Sequence, residues 1–206
     1  MPTYRLRRFR DACYDLLGRG IAAAGFSARL YRPQLVRFAA VSDRTRLVVV
    51  VCKGNICRSP YAEARIQAAL HQAHIEGIEV RSAGLEAGTG KPAEAAAIRA
   101  AAARGVDLRA HRSAPLTPEL LSQTDLIVLM EPNQLRDLRR LEGFSSKTDT
   151  VLMGALTLEG GYPLVVRDPF GRSDDCFSHC FSQIDSGAER LVGELRASLG
   201  TKKGMQ

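Results

Sequence analysis

A cysteine and an arginine six positions apart, Cys52 and Arg58, are the residues of this 206-residue chain best suited to chemistry. They lie in the run Val51-Cys52-Lys53-Gly54-Asn55-Ile56-Cys57-Arg58-Ser59-Pro60. A loop of this length between a strand and a helix turns its backbone N–H groups inward and forms an anion site beside the helix N-terminus. Gly54 and Asn55 tolerate the left-handed backbone of such a turn. The planar guanidinium of Arg58 matches two oxygens of a phosphate group.

Cys52 is expected to face the centre of this positively charged loop. Thiols in such surroundings ionise at neutral pH, and the thiolate is the reactive form. A thiolate in line with phosphorus displaces an alkoxide or phenoxide and forms a phosphocysteine. A lone cysteine at a strand end is usually a small core residue. If Cys52 had only that role, the phosphate-binding features of the whole surrounding loop would be a coincidence. The pattern therefore predicts nucleophilic chemistry on a phosphate ester.

Strands alternate with helices along the chain from residue 47 onward. Strands are predicted at Leu47–Val51, Ile78–Arg81, Asp125–Met130 and Thr150–Met153. Helices are predicted around Ala62–Ala73, over Pro92–Arg104, from an N-cap at Thr117, over Pro132–Leu141 and after a cap at Ser173. This alternation is typical of an α/β fold with a parallel sheet and helices on both faces. Ligands of such sheets bind at the carboxyl ends of strands, which is where the loop after the first strand lies.

Residues 51–60 resemble the V-C-x-G-N-I-C-R-S-P signature of the low-molecular-weight protein-tyrosine phosphatases, with Lys53 at the variable position. The resemblance covers about residues 46–200, including Ser82-Ala83-Gly84, His111-Arg112-Ser113, the strand ending at Met130 and Asp168-Pro169-Phe170. It implies a flavodoxin-like four-stranded parallel sheet and hydrolysis of phosphotyrosine through a phosphocysteine, with no metal and no cofactor. Residues 1–45 lie outside it and are predicted to form a basic helical extension, and residues 201–206 a flexible tail.

The resemblance also implies roles within the site. Cys52 would be the nucleophile, Arg58 the phosphate clamp, and Asp168 the general acid and then the base. Ser59 would donate its hydroxyl to the thiolate, and Asn55 would brace the loop. The residues predicted to bind phosphate are Lys53, Gly54, Asn55, Ile56, Cys57 and Arg58.

The other cysteines carry weaker predictions. Cys57 lies five residues after Cys52, as in the family, so a reversible disulfide between them would protect the thiolate from peroxide. A packed small residue is the alternative for Cys57. Cys176 and Cys180 are four apart on the last predicted helix and are assigned to core packing. The four histidines show no metal-ligand spacing, so loop or surface roles are expected for them.

Substrate choice is expected to depend on the rim of the site, to which Leu85 and Phe170 are assigned. The stretch from Ser82 to Glu94 resembles a bacterial subgroup tied to capsule and exopolysaccharide production, whose members dephosphorylate membrane-anchored tyrosine kinases. The run Asp168-Pro169-Phe170-Gly171 also resembles the protein-arginine phosphatases. Those proteins typically have Thr where this chain has Ile56, and Ile favours phosphotyrosine.

Two further alternatives stay open for the site. An arsenate reductase would use the same first cysteine with two more cysteines downstream, but residues 126–134 contain none, and Cys176 and Cys180 come too late. A phosphate-binding regulator without turnover would not need Cys52, Arg58 and Asp168 all intact.

Composition excludes several other classes of protein. The chain is 45% hydrophobic and 25% charged, a balance typical of a globular protein and not of a disordered one. No apolar run reaches the ~18 residues of a transmembrane helix. Five cysteines, an odd number, and no signal-peptide pattern predict a cytoplasmic location, and no nucleic-acid partner is expected.

The net charge of +7 belongs to the N-terminal segment, since residues 1–46 hold ten Arg against three Asp. This segment is predicted to dock on the main domain, to contact an anionic membrane surface, or to bind a partner. Codon bias is the simplest explanation of its arginines. We expect a chain without residues 1–45 to keep its fold and activity, because every proposed catalytic residue follows Leu47.

Overall fold

The computed structural model describes residues 44–145, 148–160 and 165–200. Its strands are β1 (Leu47–Cys52), β2 (Glu79–Gly84), β3 (Leu126–Leu129) and β4 (Asp149–Leu152). They form one parallel sheet in the order β2-β1-β3-β4. The helices are α1 (Arg58–Gln72), α2 (Ala95–Ala102), α3 (Pro118–Gln123), α4 (Pro132–Leu138) and α5 (Asp174–Gly200), with a 3-10 helix at Met153–Gly160. The predicted basic extension, except its last two residues, and the predicted tail lie outside the described residues.

The central strand β1 is buried along its whole length. It pairs in parallel with β2 at one edge and with β3 at the other, and helices cover its two faces, so it needs no polar face. This explains why its sequence is continuously aliphatic up to Cys52. The register brings Cys52 opposite Gly84, at the carboxyl edge of the sheet.

Helices cover both faces of the sheet, which confirms the predicted flavodoxin-like α/β architecture. On one face, Val48 and Val50 of β1 join a buried cluster with residues of α1, α2 and α5. The alternate side chains, Val49 and Val51, point to the opposite face. Helices α3 and α4 bury leucines that lie outside that cluster. Among the described helices, none has the length and apolar character needed to cross a membrane.

An aromatic stack fixes the first turn of α1 against α5. The rings of Tyr61 and Phe181 are parallel, with centroids 3.8 Å apart, and both side chains are fully buried. Such a pair contributes about 0.5–1.5 kcal/mol beyond its buried area. The Tyr61 hydroxyl donates to Asp185 Oδ1 at 2.7 Å, so its one polar group is satisfied. Burial and this hydrogen bond both raise the pKa of Tyr61. The start of α1 is therefore held rigidly.

Several predicted boundaries need correction. The helix predicted over Pro92–Arg104 is only Ala95–Ala102, because Pro92 forms an antiparallel bridge with Arg112 and the preceding carbonyl accepts from Ser113 N. Strand β2 extends to Gly84, three residues past the predicted end, since its pairing with β1 continues to Cys52.

Three predicted helix starts are confirmed. Thr117 caps α3 by accepting a hydrogen bond from Leu120 N at 3.2 Å, and α5 begins directly after Ser173. Helix α4 starts at Pro132 as predicted, but it ends at Leu138 and not at Leu141.

Candidate active site

The Cys52 loop, residues 52–59, joins β1 to the first turn of α1. Asn55 has the left-handed backbone expected of it, with φ of +53°. This conformation directs Asn55 N toward Cys52 Sγ, at 3.3 Å. The hydroxyl of Ser59 lies 3.1 Å from the same sulfur, and Cys52 itself is buried. Two hydrogen-bonding groups therefore converge on the thiol, which is the arrangement that stabilises a thiolate.

The side chain of Asn55 ties this loop to distant parts of the chain. Its Nδ2 donates to Ser59 Oγ at 2.8 Å and to Ser82 Oγ at 2.9 Å. Its Oδ1 accepts from Ala114 N at 2.9 Å, and His111 Nε2 lies 2.8 Å from its backbone oxygen. Asn55 is completely buried, so each of these groups would be costly to leave unpaired.

Gly84 allows the loop to pack closely against the end of β2. A Cβ at this position would lie 3.0 Å from Asn55 N and only 2.8 Å from Lys53 O, closer than Cβ atoms approach a backbone oxygen. Just beyond it, Leu85 N donates to Cys52 O at 3.0 Å. The backbone after β2 is therefore bonded directly to the loop that carries the thiol.

Arg58 is a charged residue whose side chain is only 2% exposed. Its Nη1 donates to the Glu131 carboxylate and to Val166 O, the latter at 2.9 Å. Its Nη2 lies 2.9 Å from Asp168 Oδ2. Burial by itself disfavours the charged guanidinium, yet the pKa of Arg58 is raised, because the charges of Asp168, Cys52 and Glu131 together outweigh it. The remaining nitrogen, Nε, has no hydrogen-bond partner in the described part of the chain.

Asp168 lies in the loop before α5, where it contacts Arg58 and also begins a turn. Phe170 N donates to Asp168 Oδ1 at 3.3 Å, a local hydrogen bond that holds the backbone of this turn. Phe170 is 51% exposed and is the one large hydrophobic side chain exposed among the described residues. Leu85, the other predicted rim residue, is half-buried. The structure thus brings the predicted acid and Phe170 to the mouth of the site.

The remaining described cysteines are all free thiols. Cys57 and Cys180 are buried, whereas Cys176 is half-buried. Burial raises the pKa of Cys57, and the charges of Asp168 and Cys52 raise it further. Burial likewise raises the pKa of Cys180 to about 12. The predicted disulfide between Cys52 and Cys57 stays a prediction. In the described part of the chain, no three His, Cys, Asp or Glu side chains come together as metal ligands.

Residues 47–202 match the family model described as low molecular weight phosphotyrosine protein phosphatase. The chain belongs to this family. It is therefore a protein-tyrosine phosphatase, a phosphoric monoester hydrolase, as the loop motif predicted. The same match confirms the resemblance drawn from residues 51–60.

Individual members of the family show similar agreement. The probable low molecular weight protein-tyrosine-phosphatase EpsP of Ralstonia solanacearum is 33% identical over 153 residues, which are 74% of this chain and 97% of EpsP. Wzb of Vibrio vulnificus, solved with benzylphosphonate, is 34% identical with a TM-score of 0.64, covering 73% of this chain and 99% of Wzb. These relatives confirm the resemblance to the capsule- and exopolysaccharide-associated subgroup.

A solved structure from another branch is also similar to this phosphatase. The YwlE arginine phosphatase, carrying a phosphorylated active-site serine, is 27% identical with a TM-score of 0.65. The similarity covers 73% of this chain and 95% of the YwlE chain. The fold alone therefore does not separate phosphotyrosine from phosphoarginine chemistry.

Sequence reasoning assigned no role in the phosphatase site to Ser82, His111 or Glu131. Ser82 and His111 do lie in segments that resemble the family, which is the one signal that singled them out. Glu131 had no such signal, since an acid at the start of a helix is ordinary. Its contact with Arg58 joins residues 73 positions apart and becomes visible only in the folded chain.

Replacing Glu131 by Gln is expected to weaken phosphate binding. The amide keeps an acceptor for Arg58 Nη1 but removes the charge that fixes the guanidinium plane. We expect KM for para-nitrophenyl phosphate to rise about tenfold, the equivalent of ~1.4 kcal/mol, with a smaller change in kcat. Steady-state kinetics measure both constants. Glu142→Gln, on an exposed turn after α4, is the matched control, and an unchanged KM in Glu131→Gln would contradict the assigned role.

Proposed function

We propose that this phosphatase hydrolyses phosphotyrosine in proteins through a phosphocysteine on Cys52. The observation that carries the proposal is the set of groups around Cys52 Sγ. Asn55 N donates to the sulfur, Ser59 Oγ lies against it, and the buried guanidinium of Arg58 keeps Nε free among the described residues. A phosphate bound beside the thiol would receive hydrogen bonds from Arg58 Nε and from the backbone N–H groups of the loop.

The first chemical step transfers the phosphoryl group to sulfur. A lone pair of the Cys52 thiolate attacks phosphorus, and the bond from phosphorus to the phenolic oxygen breaks. Asp168 gives its proton to that oxygen, so that tyrosine leaves as a neutral phenol. Arg58 neutralises charge on the phosphoryl oxygens in the transition state.

The second step releases inorganic phosphate. Water attacks phosphorus, and Asp168, now ionised, takes a proton from this water. The bond from phosphorus to sulfur breaks and its electron pair returns to Cys52 as a thiolate. Ser59 donates its hydroxyl to this thiolate, which makes sulfur a better leaving group.

The contact between Asp168 and Arg58 supports these roles. In the structure the Asp168 carboxylate contacts Arg58 Nη2, which is one of the donors that a phosphate would use. An incoming phosphate dianion competes for the same guanidinium and frees Asp168, which takes up a proton from solvent and then reaches the leaving-group oxygen as the acid. Because Asp168 lies at the mouth of the site, this requires only a local movement.

We further propose that the physiological substrate is a membrane-anchored tyrosine kinase of polysaccharide export, dephosphorylated on its cytoplasmic side. EpsP and Wzb are named as low molecular weight protein-tyrosine phosphatases, and one Wzb was solved with benzylphosphonate, an aromatic ring linked to a phosphonate. A Phe170 ring at the mouth of the site suits an aromatic substrate side chain.

Protein-arginine phosphatase activity is the second candidate. The similarity to YwlE favours it, as does the run from Asp168 to Gly171, where Gly171 has φ of +70°. Ile56 favours phosphotyrosine instead, since an aliphatic wall suits an aromatic ring better than a guanidinium.

Three phosphopeptides that differ only in the phosphorylated residue would test the proposed function. We expect the full-length protein to hydrolyse the phosphotyrosine peptide with much the highest kcat/KM, and the phosphoserine and phosphoarginine peptides slowly. A preference for phosphoarginine would establish the second candidate. Binding of phosphate without turnover of any peptide would favour a regulator.

A further inference from the structure

Lys53 differs from every other residue of the Cys52 loop in its exposure. Of residues 52–59, it is the one that is exposed, while the others are buried or half-buried. It directly follows Cys52, and its ammonium group is on the exposed side of the loop that carries the thiol. A cation at this position can contact the substrate residues that flank the phosphotyrosine.

A carboxylate on the neighbouring loop faces this cation. Lys53 Nζ lies 3.2 Å from Glu86 Oε2, and the two side chains are 63% and 67% exposed. Their backbones are also joined, since Glu86 N donates to Lys53 O at 2.8 Å. Glu86 follows the predicted rim residue Leu85, whose own N–H is bonded to Cys52 O. The pair is therefore fastened to the rim beside the thiol.

We propose that Lys53 binds an acidic residue next to the phosphotyrosine of the substrate, and that this residue replaces Glu86 as its partner. The proposal rests on the proposed function, because it concerns the neighbours of the phosphotyrosine. The thiol is buried, so the tyrosine side chain must reach inward while the flanking residues cross the rim.

Exchange of partners at Lys53 costs little. An ion pair as exposed as this one adds little stability, so a substrate carboxylate replaces Glu86 at almost no loss. Glu131, another carboxylate near the thiol, is engaged by Arg58 and does not compete for Lys53. Glu86 is the carboxylate that contacts Lys53 in the structure, so it weakens the attraction of an acidic substrate to this cation.

Two phosphotyrosine peptides that carry either Asp or Asn on both sides of the phosphotyrosine would test this proposal. We expect wild-type kcat/KM to be about twofold higher for the Asp peptide, and the preference to reach about fivefold in Glu86→Gln. Lys53→Gln should reduce the ratio to about one, while Lys53→Arg should keep it. The wild-type preference should also fall as salt rises from 0.1 M to 1 M, since both charges are exposed.

The ratio compares two peptides on the same variant, so any effect of residue 53 on phosphate binding cancels. Glu86→Gln should hydrolyse para-nitrophenyl phosphate, which has no flanking residues, at the wild-type rate. An equal Asp preference in wild type and Lys53→Gln would overturn the proposal while leaving the proposed function intact. Failure of the wild-type protein to hydrolyse either peptide would overturn the proposed function and this proposal with it.

Discussion

A Cys52→Ser variant is expected to lose turnover of para-nitrophenyl phosphate by more than about 100-fold. A serine hydroxyl is barely ionised at neutral pH, and the groups around Sγ are arranged for a thiolate. The same variant should still bind inorganic phosphate, because Arg58 and the backbone N–H groups of the loop are unchanged. Steady-state hydrolysis measures the first effect, and thermal unfolding with and without phosphate measures the second.

Phosphate at about 100 times its Kd should stabilise Cys52→Ser by ~2.7 kcal/mol, which raises Tm by roughly 5–10 °C for a domain of this size. This shift shows that the variant is folded and that its site is intact. Cys176→Ser, a change of the same kind at a half-buried position on α5, should keep wild-type activity. More than about one per cent residual activity in a phosphate-binding Cys52→Ser protein would exclude Cys52 as the nucleophile.

Asp168→Asn is expected to slow hydrolysis of phenyl phosphate by ~10²–10⁴-fold, the usual contribution of a general acid. The amide has no proton to give to the departing phenoxide. The loss should be much smaller for para-nitrophenyl phosphate, whose leaving group is stable as an anion. Rates for a series of aryl phosphates of increasing leaving-group pKa would measure this difference.

The structure adds a second expectation for Asp168→Asn. Because the carboxylate occupies Arg58 Nη2, its replacement removes a competitor for phosphate, so inhibition by inorganic phosphate should be as strong as in wild type or stronger. Asp174→Asn, an exposed change near the start of α5, is the matched control and should leave kinetics unchanged. Equal losses of rate for all leaving groups would contradict general acid catalysis and assign Asp168 a structural role in the turn before α5.

The sequence alone determined those features of this phosphatase that depend on neighbouring residues. The strand β1 could be recognised because a strand buried on both faces needs an unbroken aliphatic run. The Cys52 loop could be recognised because a cysteine, an asparagine that tolerates the left-handed backbone and an arginine that suits phosphate all lie within seven consecutive residues. The order of strands and helices then predicted the fold and the edge of the sheet at which the site lies.

Only the tertiary structure decided which distant groups complete the site. Arg58 is held by Glu131 and Val166, which follow β3 and precede α5, and Asn55 is held by Ser82 and Ala114 from two other segments. These partners meet because parallel strands end at one edge of the sheet, but their identities depend on register and loop path.

Which residues meet at the rim likewise depends on how separate loops pack together. The exposed pair of Lys53 and Glu86 exists because the backbone after β2 is hydrogen-bonded to the Cys52 loop. In the sequence these residues are separated by a strand, a helix and two loops, and nothing local links them. Asp168 read alone was an acid before a proline, and the sequence assigned it to the site only through the family resemblance. Its contact with Arg58 is visible only in the folded chain, since a long-range ion pair leaves no periodic signal in sequence.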